Sequence, residues 1–443
     1  MTGMTGLMGG WLDRAGPIVS SETKQPGGNR MSNGKMLARP GNARPGKTIG
    51  RRSLVAGAVG TAALAASGRA RAAEAVKLGV LGDMSGPYQA ASGPGAVLAA
   101  RMAAQDIGGS VLGMPIEVIQ GDTQNKPDVA SGIAGQWYDR EGVDLILDLP
   151  VTPVGLAVQK AAVQHQRSVI ITGAAITEFT SKLCSPYSSH WADDVHAMAG
   201  AASAIAAGGG REWFFITVDF SFGTALQQAA TTVLESSGGK VVGSARFPLG
   251  NTDFSSQLVS AQASGAKVIG LAAVGDDLVN LIKQAHEFGM VKQGKGLATF
   301  LVYITDIAAL GLEVAQGLSF VSGYYWDRDA GSRAFAQRFF AAHKAMPTRE
   351  QAYIYAGALH FLKAMKAAGT RDAAKLGEVM RATPVDLFGT QADLRADGRL
   401  IHDLDLYTVK APGQSKAPWD FYARSRVLPA DEAFLPANPA CKA

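Results

Sequence analysis

The sequence predicts an α/β protein built as two doubly wound α/β lobes joined by a hinge of several crossovers. Three observations carry that prediction. The strand-like runs are short and continuously apolar, as in Leu145-Ile146-Leu147 and Val169-Ile170-Ile171, the pattern of parallel strands buried on both faces. Helical stretches separate them, which is βαβ alternation. The alternation also runs twice, in a chain of 443 residues that has room for two domains.

The working protein starts late. Arg51 and Arg52 precede an apolar run from Leu54 to Ala66, and Ala70-Arg71-Ala72 follows in an A-x-A pattern. A basic front, an apolar middle and small residues at the end are the parts of an export signal. The run is shorter than the ~20 residues of a spanning helix. Its Arg pair and mild hydrophobicity are those of a twin-arginine signal, and Gly57, Gly60 and Gly68 argue against a buried helix. Residues 1–49 are rich in Gly, Pro, Asn, Lys and Arg and show no apolar period, so they cannot bury a core. Met31 and Met36 are alternative starts. The expected leader is 1–72, the mature chain begins at Ala73, and its place is the periplasm.

Removing that leader inverts the charge. The whole chain carries +5, but residues 1–72 hold eleven basic and two acidic side chains, so the remainder carries −4. Nucleic-acid binding thereby loses its compositional support.

Val76–Leu81 reads as the first strand and ends in the turn-rich Gly82–Tyr88. A helix from Val97 to Ile107, a strand from Ile116 to Gln120 and a helix from Val129 to Arg140 follow. Strands at Leu145–Leu147 and Val169–Ile171 then flank a helix that ends near His165. A linking helix, Asp193–Ala207, leads to the second unit. Its strands are Trp213–Val218, Lys240–Phe247, Lys267–Ala272 and Leu297–Tyr303, and its helices are Thr224–Glu235, Ser255–Ala263 and Asp277–Phe288. Leu318–Tyr325 reads as a return between units, followed by helices Ser332–His343 and Gln351–Lys366. Asp397-Gly398 reads as a hairpin turn between Asp393–Arg395 and Leu404–Val409. The expected lobes are 73–196 with 324–385, and 197–323 with 386–443. Ligands of such folds sit in the cleft at the carboxyl ends of the strands, and hinge closure around them is a known switching mode.

The sequence carries no Walker A loop, no G-x-S-x-G elbow, no H-E-x-x-H and no Cys/His cluster. An enzyme is therefore not expected, nor is a cofactor or metal. His190 and His196 lie near Asp194, an arrangement that is usually structural. Asp276-Asp277 suits a helix N-terminus. Cys184 and Cys441 either clip the C-terminal tail to the first lobe or stand as two unrelated thiols.

Starting VKLGVLGDMSGPY, the exported two-lobe chain resembles the periplasmic substrate-binding proteins of ABC importers, and among them the leucine/isoleucine/valine-binding (branched-chain amino acid) type. Gly82–Tyr88, VDLILDLPVTPVGLAV (143–158), SFGTALQQA (221–229), GDDLVNLIKQA (275–285) and GTQADLRADGRLIHDLDLYTVKAP (389–412) carry the resemblance, in order, over nearly all of 76–443. CSPYSSHWADD (184–194) and HDLDLYTVKAPGQSKAPWDFY (402–422) are similar to a subgroup, some of whose relatives take aromatic or other apolar carboxylates. The resemblance implies a type I periplasmic binding protein, monomeric, that captures a small carboxylate-bearing solute and presents it to a membrane permease. An apolar amino acid is the first expectation and an aromatic or aliphatic acid the second. A sensory protein that feeds a receptor kinase is the rival reading.

The resemblance also implies where the solute lies. Its carboxylate would meet loop amides and hydroxyls at Val151, Thr152, Thr172, Gly173, Ala174 and Ala175, where exposed N–H groups at helix starts suit an anion. Tyr88 and Trp191 from one lobe and Phe220 and Phe222 from the other would supply aromatic walls. The family's usual acidic partner for a ligand ammonium falls in 301–306, where Tyr303 or Thr305 stands in its place and Asp306 is displaced; Asp276 is a further candidate. Without a carboxylate there, an amine would go unpaired, and an amine-free acid would fit better.

Overall fold

The computed structural model describes residues 74–439 and Cys441. The predicted leader and the cleavage site before Ala73 lie outside the described residues. Among the described residues no helix is long and apolar enough to cross a membrane.

Two sheets organise the chain. The first runs in the order Ser110–Val111, Met114–Asp122, Val76–Gly82, Leu145–Asp148, Ser168–Ile171, Ser188–His190, and all its pairings are parallel except that of the two-residue edge strand. The second contains the parallel strands Lys240–Phe247, Glu212–Val218, Val268–Ala272, Gly296–Thr299 and Ser319–Ser322, extended by antiparallel Leu404–Val409 and Tyr422–Leu428. Taking only the parallel strands in chain order, each sheet reads 2-1-3-4-5. Both central strands are buried along their length, as in Leu145–Asp148 and Val268–Ala272, which is why they appear in the sequence as unbroken apolar runs. In this winding the chain reverses direction across the sheet beside strand 1, so the loops after strands 1 and 3 part and leave a crevice.

Three departures from the sequence reading have clear causes. The Asp397-Gly398 turn joins Thr390–Leu394 to Leu400–Ile401, within a small sheet with Val385–Leu387, while Leu404–Val409 pairs with Ser319–Ser322 of the second sheet. The stretch 386–443, assigned whole to the second lobe, is thus divided. Its first part lies against the first sheet, where His190 N–H donates to the Gly398 carbonyl at 2.8 Å. The strand expected over 297–303 stops at Thr299, because Tyr303 becomes the N-cap of helix Ile304–Leu310, its N–H donating to Asp306 Oδ2 at 2.8 Å. A helix over Ala373–Ala382, unread in the sequence, begins at the Asp372 cap.

The chain passes between sheets three times, near 191–195, 322–325 and 402–404, and Asp193 ties the passages together. Its buried carboxylate accepts from Gly323 N–H at 3.0 Å, Arg349 Nη1 at 3.0 Å and Tyr353 Oη at 2.8 Å, and Tyr353 Oη contacts His402 Nε2 at 3.1 Å. A disulfide joins Cys184 to Cys441, with Cα atoms 6.0 Å apart, and fastens the tail to the loop before the last strand of the first sheet.

Candidate functional site

The crevice predicted by the winding is present, enclosing about 360 Å³, part of it continuous with solvent. Most of its walls are loops at the carboxyl ends of the parallel strands. Tyr88 follows strand 1 of the first sheet, Pro150–Thr152 follow strand 3 and Gly173–Ala175 follow strand 4. In the second sheet Phe220 and Phe222 follow strand 1, Val274 follows strand 3, and Leu301 and Tyr303 follow strand 4. Tyr88 reaches across to the opposite lobe, where a side chain at Gly275 (φ +62°) would crowd its ring. The rings of Phe220 and Phe222 stack at 5.9 Å.

The first-lobe loops are pinned to each other: Gly173 N–H donates to the Asp148 carbonyl at 3.3 Å and Ala174 N–H to the Leu149 carbonyl at 2.8 Å. Leu149 (φ +67°) and Asp148 (φ +89°) are in the left-handed region, uncommon for residues with side chains. Asp148's carbonyl accepts from Thr172 N–H at 3.0 Å and Thr172 Oγ1 at 3.3 Å. His190 bridges Arg399 Nη1 and the Ala174 carbonyl, each at 2.7 Å. Burial, then the Arg399 charge, holds its pKa well below the ordinary value, so the ring is neutral, donating from Nε2 to Ala174 and accepting at Nδ1. Thr152 opens helix Thr152–His165, whose first-turn N–H groups have no carbonyl within the helix. Its Oγ1 is buried without a partner, as is Tyr88 Oη.

Among the described residues one acidic side chain lines this crevice, and no Lys, Arg or His does. It is Glu350, 2% exposed, from an element that the sequence reading left out. Pro347-Thr348 halts the chain before helix Arg349–Ala368, and a reciprocal cap between Thr348 and Gln351 fixes its first turn. Glu350 Oε2 accepts from Tyr303 Oη at 2.9 Å. Gly173 makes room for it, since a Cβ there would lie 2.2 Å from Glu350 Oε1.

Behind Glu350 sits Asp148, fully buried. Its Oδ2 accepts from Ser92 Oγ at 2.5 Å, and a Cβ at Gly82 would collide with it. Asp148 Oδ1 and Glu350 Oε1 are both buried without a hydrogen-bond partner. Neighbouring buried carboxyl groups oppose each other's ionisation. Burial, and then the neighbouring Glu350, pushes the Asp148 pKa well up. Burial also raises that of Glu350, but the neighbouring Asp148 carboxyl, the Tyr303 hydroxyl and the Arg349 charge oppose it. Asp148 is therefore the more readily protonated of the two, and Glu350, with the Tyr303 hydroxyl and the Arg349 charge beside it, the more readily ionised.

Of the residues expected from sequence, Tyr88, Val151, Thr152, Gly173, Ala174, Ala175, Phe220, Phe222 and Tyr303 line the crevice. Thr172, Trp191, Asp276 and Thr305 do not. Thr172 is buried beneath its loop. Trp191 is core, its ring 6.0 Å from His360 and its Nε1 donating to Ser189 Oγ at 3.0 Å. Asp276 is exposed at the start of helix Gly275–Glu287, and Thr305 Oγ1 is buried within the turn after Tyr303. Asp306 is occupied by its cap. Among the described residues no cluster of His, Cys, Asp and Glu could hold a metal ion.

Known proteins share this architecture. The family model described as periplasmic binding protein matches residues 75–416. A periplasmic binding protein from Burkholderia mallei is 42% identical, covering 83% of this chain and 98% of its own, with a TM-score of 0.80. A branched chain amino acid ABC transporter periplasmic ligand-binding protein from Burkholderia xenovorans LB400 is 36% identical, covering 82% and 97%, with a TM-score of 0.73. A solute binding protein of an ABC transporter from Rhodopseudomonas palustris BisB5, in complex with 3,4-dihydroxybenzoic acid, is 19% identical, covers 80% and 98%, and shares the fold at a TM-score of 0.74. No curated protein sequence matches the chain.

Proposed function

The chain belongs to the periplasmic binding protein family and is the solute-binding component of an ABC importer, and from that premise we propose that its crevice takes a zwitterionic amino acid with an apolar side chain. The observation that carries this reading is the buried Glu350 carboxylate in a wall that has no cationic side chain. A buried charge needs a partner, and a ligand ammonium is the fitting one. The ligand carboxylate would accept from the N–H and Oγ1 of Thr152 at the helix start and from the Ala175 N–H, in keeping with anion binding at helix starts. Phe220, Phe222, Val274, Leu301 and the Tyr88 ring would enclose the apolar side chain. An amine-free acid would set its own negative charge against Glu350, which opposes the aromatic-acid alternative.

The same reading assigns no chemistry to the chain: it binds, closes and hands the solute to a membrane permease as a monomer. Residues 1–72 would be a twin-arginine leader, and the N-terminal residue of the exported protein tests that assignment. The ligand is tested by thermal shift on protein unfolded and refolded to strip carried solute. Amino acids, benzoate-like acids and aliphatic acids form the panel. Ligand at ~100 times its dissociation constant should add roughly 2.7 kcal/mol. Shifts with leucine-like amino acids support the reading; shifts with amine-free acids alone overturn it.

A further inference from the structure

The wall at one end of the crevice is a single side chain thick. Among the described residues Tyr303 is the one lining residue that the crevice shares with a second cavity of about 270 Å³, part of it continuous with solvent. Consecutive residues alternate across this wall: Leu301 and Glu350 face the crevice, while Val302 and Arg349 face the second cavity. The ring between them is held from several sides. Its hydroxyl donates to Glu350 at 2.9 Å, the Arg349 guanidinium carbon lies 5.6 Å from its centroid, and the Tyr303 backbone N–H donates to Asp306.

The second cavity has polar chemistry of its own. Arg349 is 8% exposed, and its hydrogen bond among the described residues runs from Nη1 to Asp193, one of the five donors a guanidinium carries. Tyr422 Oη is buried with no partner. Trp326, Tyr325 and Phe320 add aromatic walls. A guanidinium and a free hydroxyl among rings suit a carboxylate carried on an apolar stem.

We propose that Tyr303 sets the length of solute that the crevice accepts, and that the cavity behind it is a latent subsite for the acidic end of a longer amino acid. With the ring in place, the two spaces are separate and only short side chains fit. Without it they join, and a terminal carboxylate reaches Arg349 and Tyr422. This proposal rests on reading the crevice as an amino-acid site.

The test is calorimetric titration of wild type, Tyr303→Phe and Tyr303→Ala with leucine, 2-aminoadipate and 2-aminopimelate. Both Tyr303 variants lose the hydroxyl bond to Glu350, so the ratio of affinities, not either affinity alone, is the readout. Tyr303→Phe keeps the wild-type preference for leucine over 2-aminopimelate. Tyr303→Ala narrows it by about ten- to a hundredfold, the worth of a new charged hydrogen bond. Adding Tyr422→Phe gives back part of that gain. If the Ala variant does not fold, Tyr303→Val is read in its place. A folded Ala or Val variant with the wild-type ratio overturns the length filter while leucine binding stands. Failure of wild type to bind any amino acid overturns the reading beneath it.

Discussion

Arg349 and Glu350 are neighbours on one helical turn, and both are buried ions, yet they belong to two different regions. Arg349 joins the crossover cluster, where Asp193 accepts from a backbone amide, a guanidinium and a tyrosine. Glu350 joins the crevice, where Thr152 Oγ1, Tyr88 Oη and Glu350 Oε1 are buried without partners. Buried polar groups are ordinarily satisfied. Where they are, as at Asp193, the cluster fixes how the chain crosses between lobes. Where they are left short of donors and of positive charge, the protein leaves those places to its solute.

The largest effect that would break this comparison is expected at Asp193. Removing one partner of a buried ion pair typically costs about 3–5 kcal/mol, so Asp193→Ala should unfold at much lower denaturant. An unchanged midpoint would mean that the crossover cluster is not structural.

Asp306 is an intermediate case, buried and hydrogen-bonded but without a cation. Burial pushes its pKa up to about 7 from 3.8. The folded protein thus binds this proton more tightly than the unfolded chain does. That advantage is complete at low pH and is lost as pH rises from about 4 to 7. Asp306→Asn keeps an acceptor for Tyr303 N–H. Its stability relative to wild type should therefore climb through that window by a few kcal/mol, about 1.4 per unit at most, and level off above it. A difference independent of pH would place Asp306 among the ordinary exposed acids.

In the crevice the sign reverses between stability and binding. Glu350→Gln keeps the shape and removes the charge, so solute affinity should fall about ten- to a hundredfold while unfolding is unchanged or harder. Thr152→Val is the smallest change. It should weaken binding by about 1 kcal/mol with no loss of stability, because the hydroxyl has no partner to lose. Loss of stability in either variant would move that residue into the same class as Asp193.

These contrasts also explain what could be read from sequence. The winding was readable because each central strand is buried on both faces and so appears as an unbroken apolar run. The positions of Tyr88, Thr152, Gly173–Ala175 and Phe222 came from the resemblance to the binding-protein family, and the winding agrees with them, since all stand after such runs. Trp191 stands just after a strand too, but that strand is the edge of its sheet and the ring turns into the core against His360. Glu350 was hidden because an acid in a first helical turn already has a sufficient local reason to be there, in the helix dipole, and because it lies nearly two hundred residues from the loops it joins. Asp148 was hidden in the strand it ends. Tyr303 was expected near the ligand, but its bond to Glu350 is a tertiary fact with no local trace.

The most direct measurement compares leucine with 4-methylpentanoate, the same molecule without its amine, in wild type and Glu350→Gln by titration calorimetry. If Glu350 holds the ammonium, wild type binds leucine at least about tenfold more tightly, and the Gln variant brings the ratio close to one. If 4-methylpentanoate binds wild type as tightly as leucine does, the crevice recognises no amine and the assignment of Glu350 is wrong.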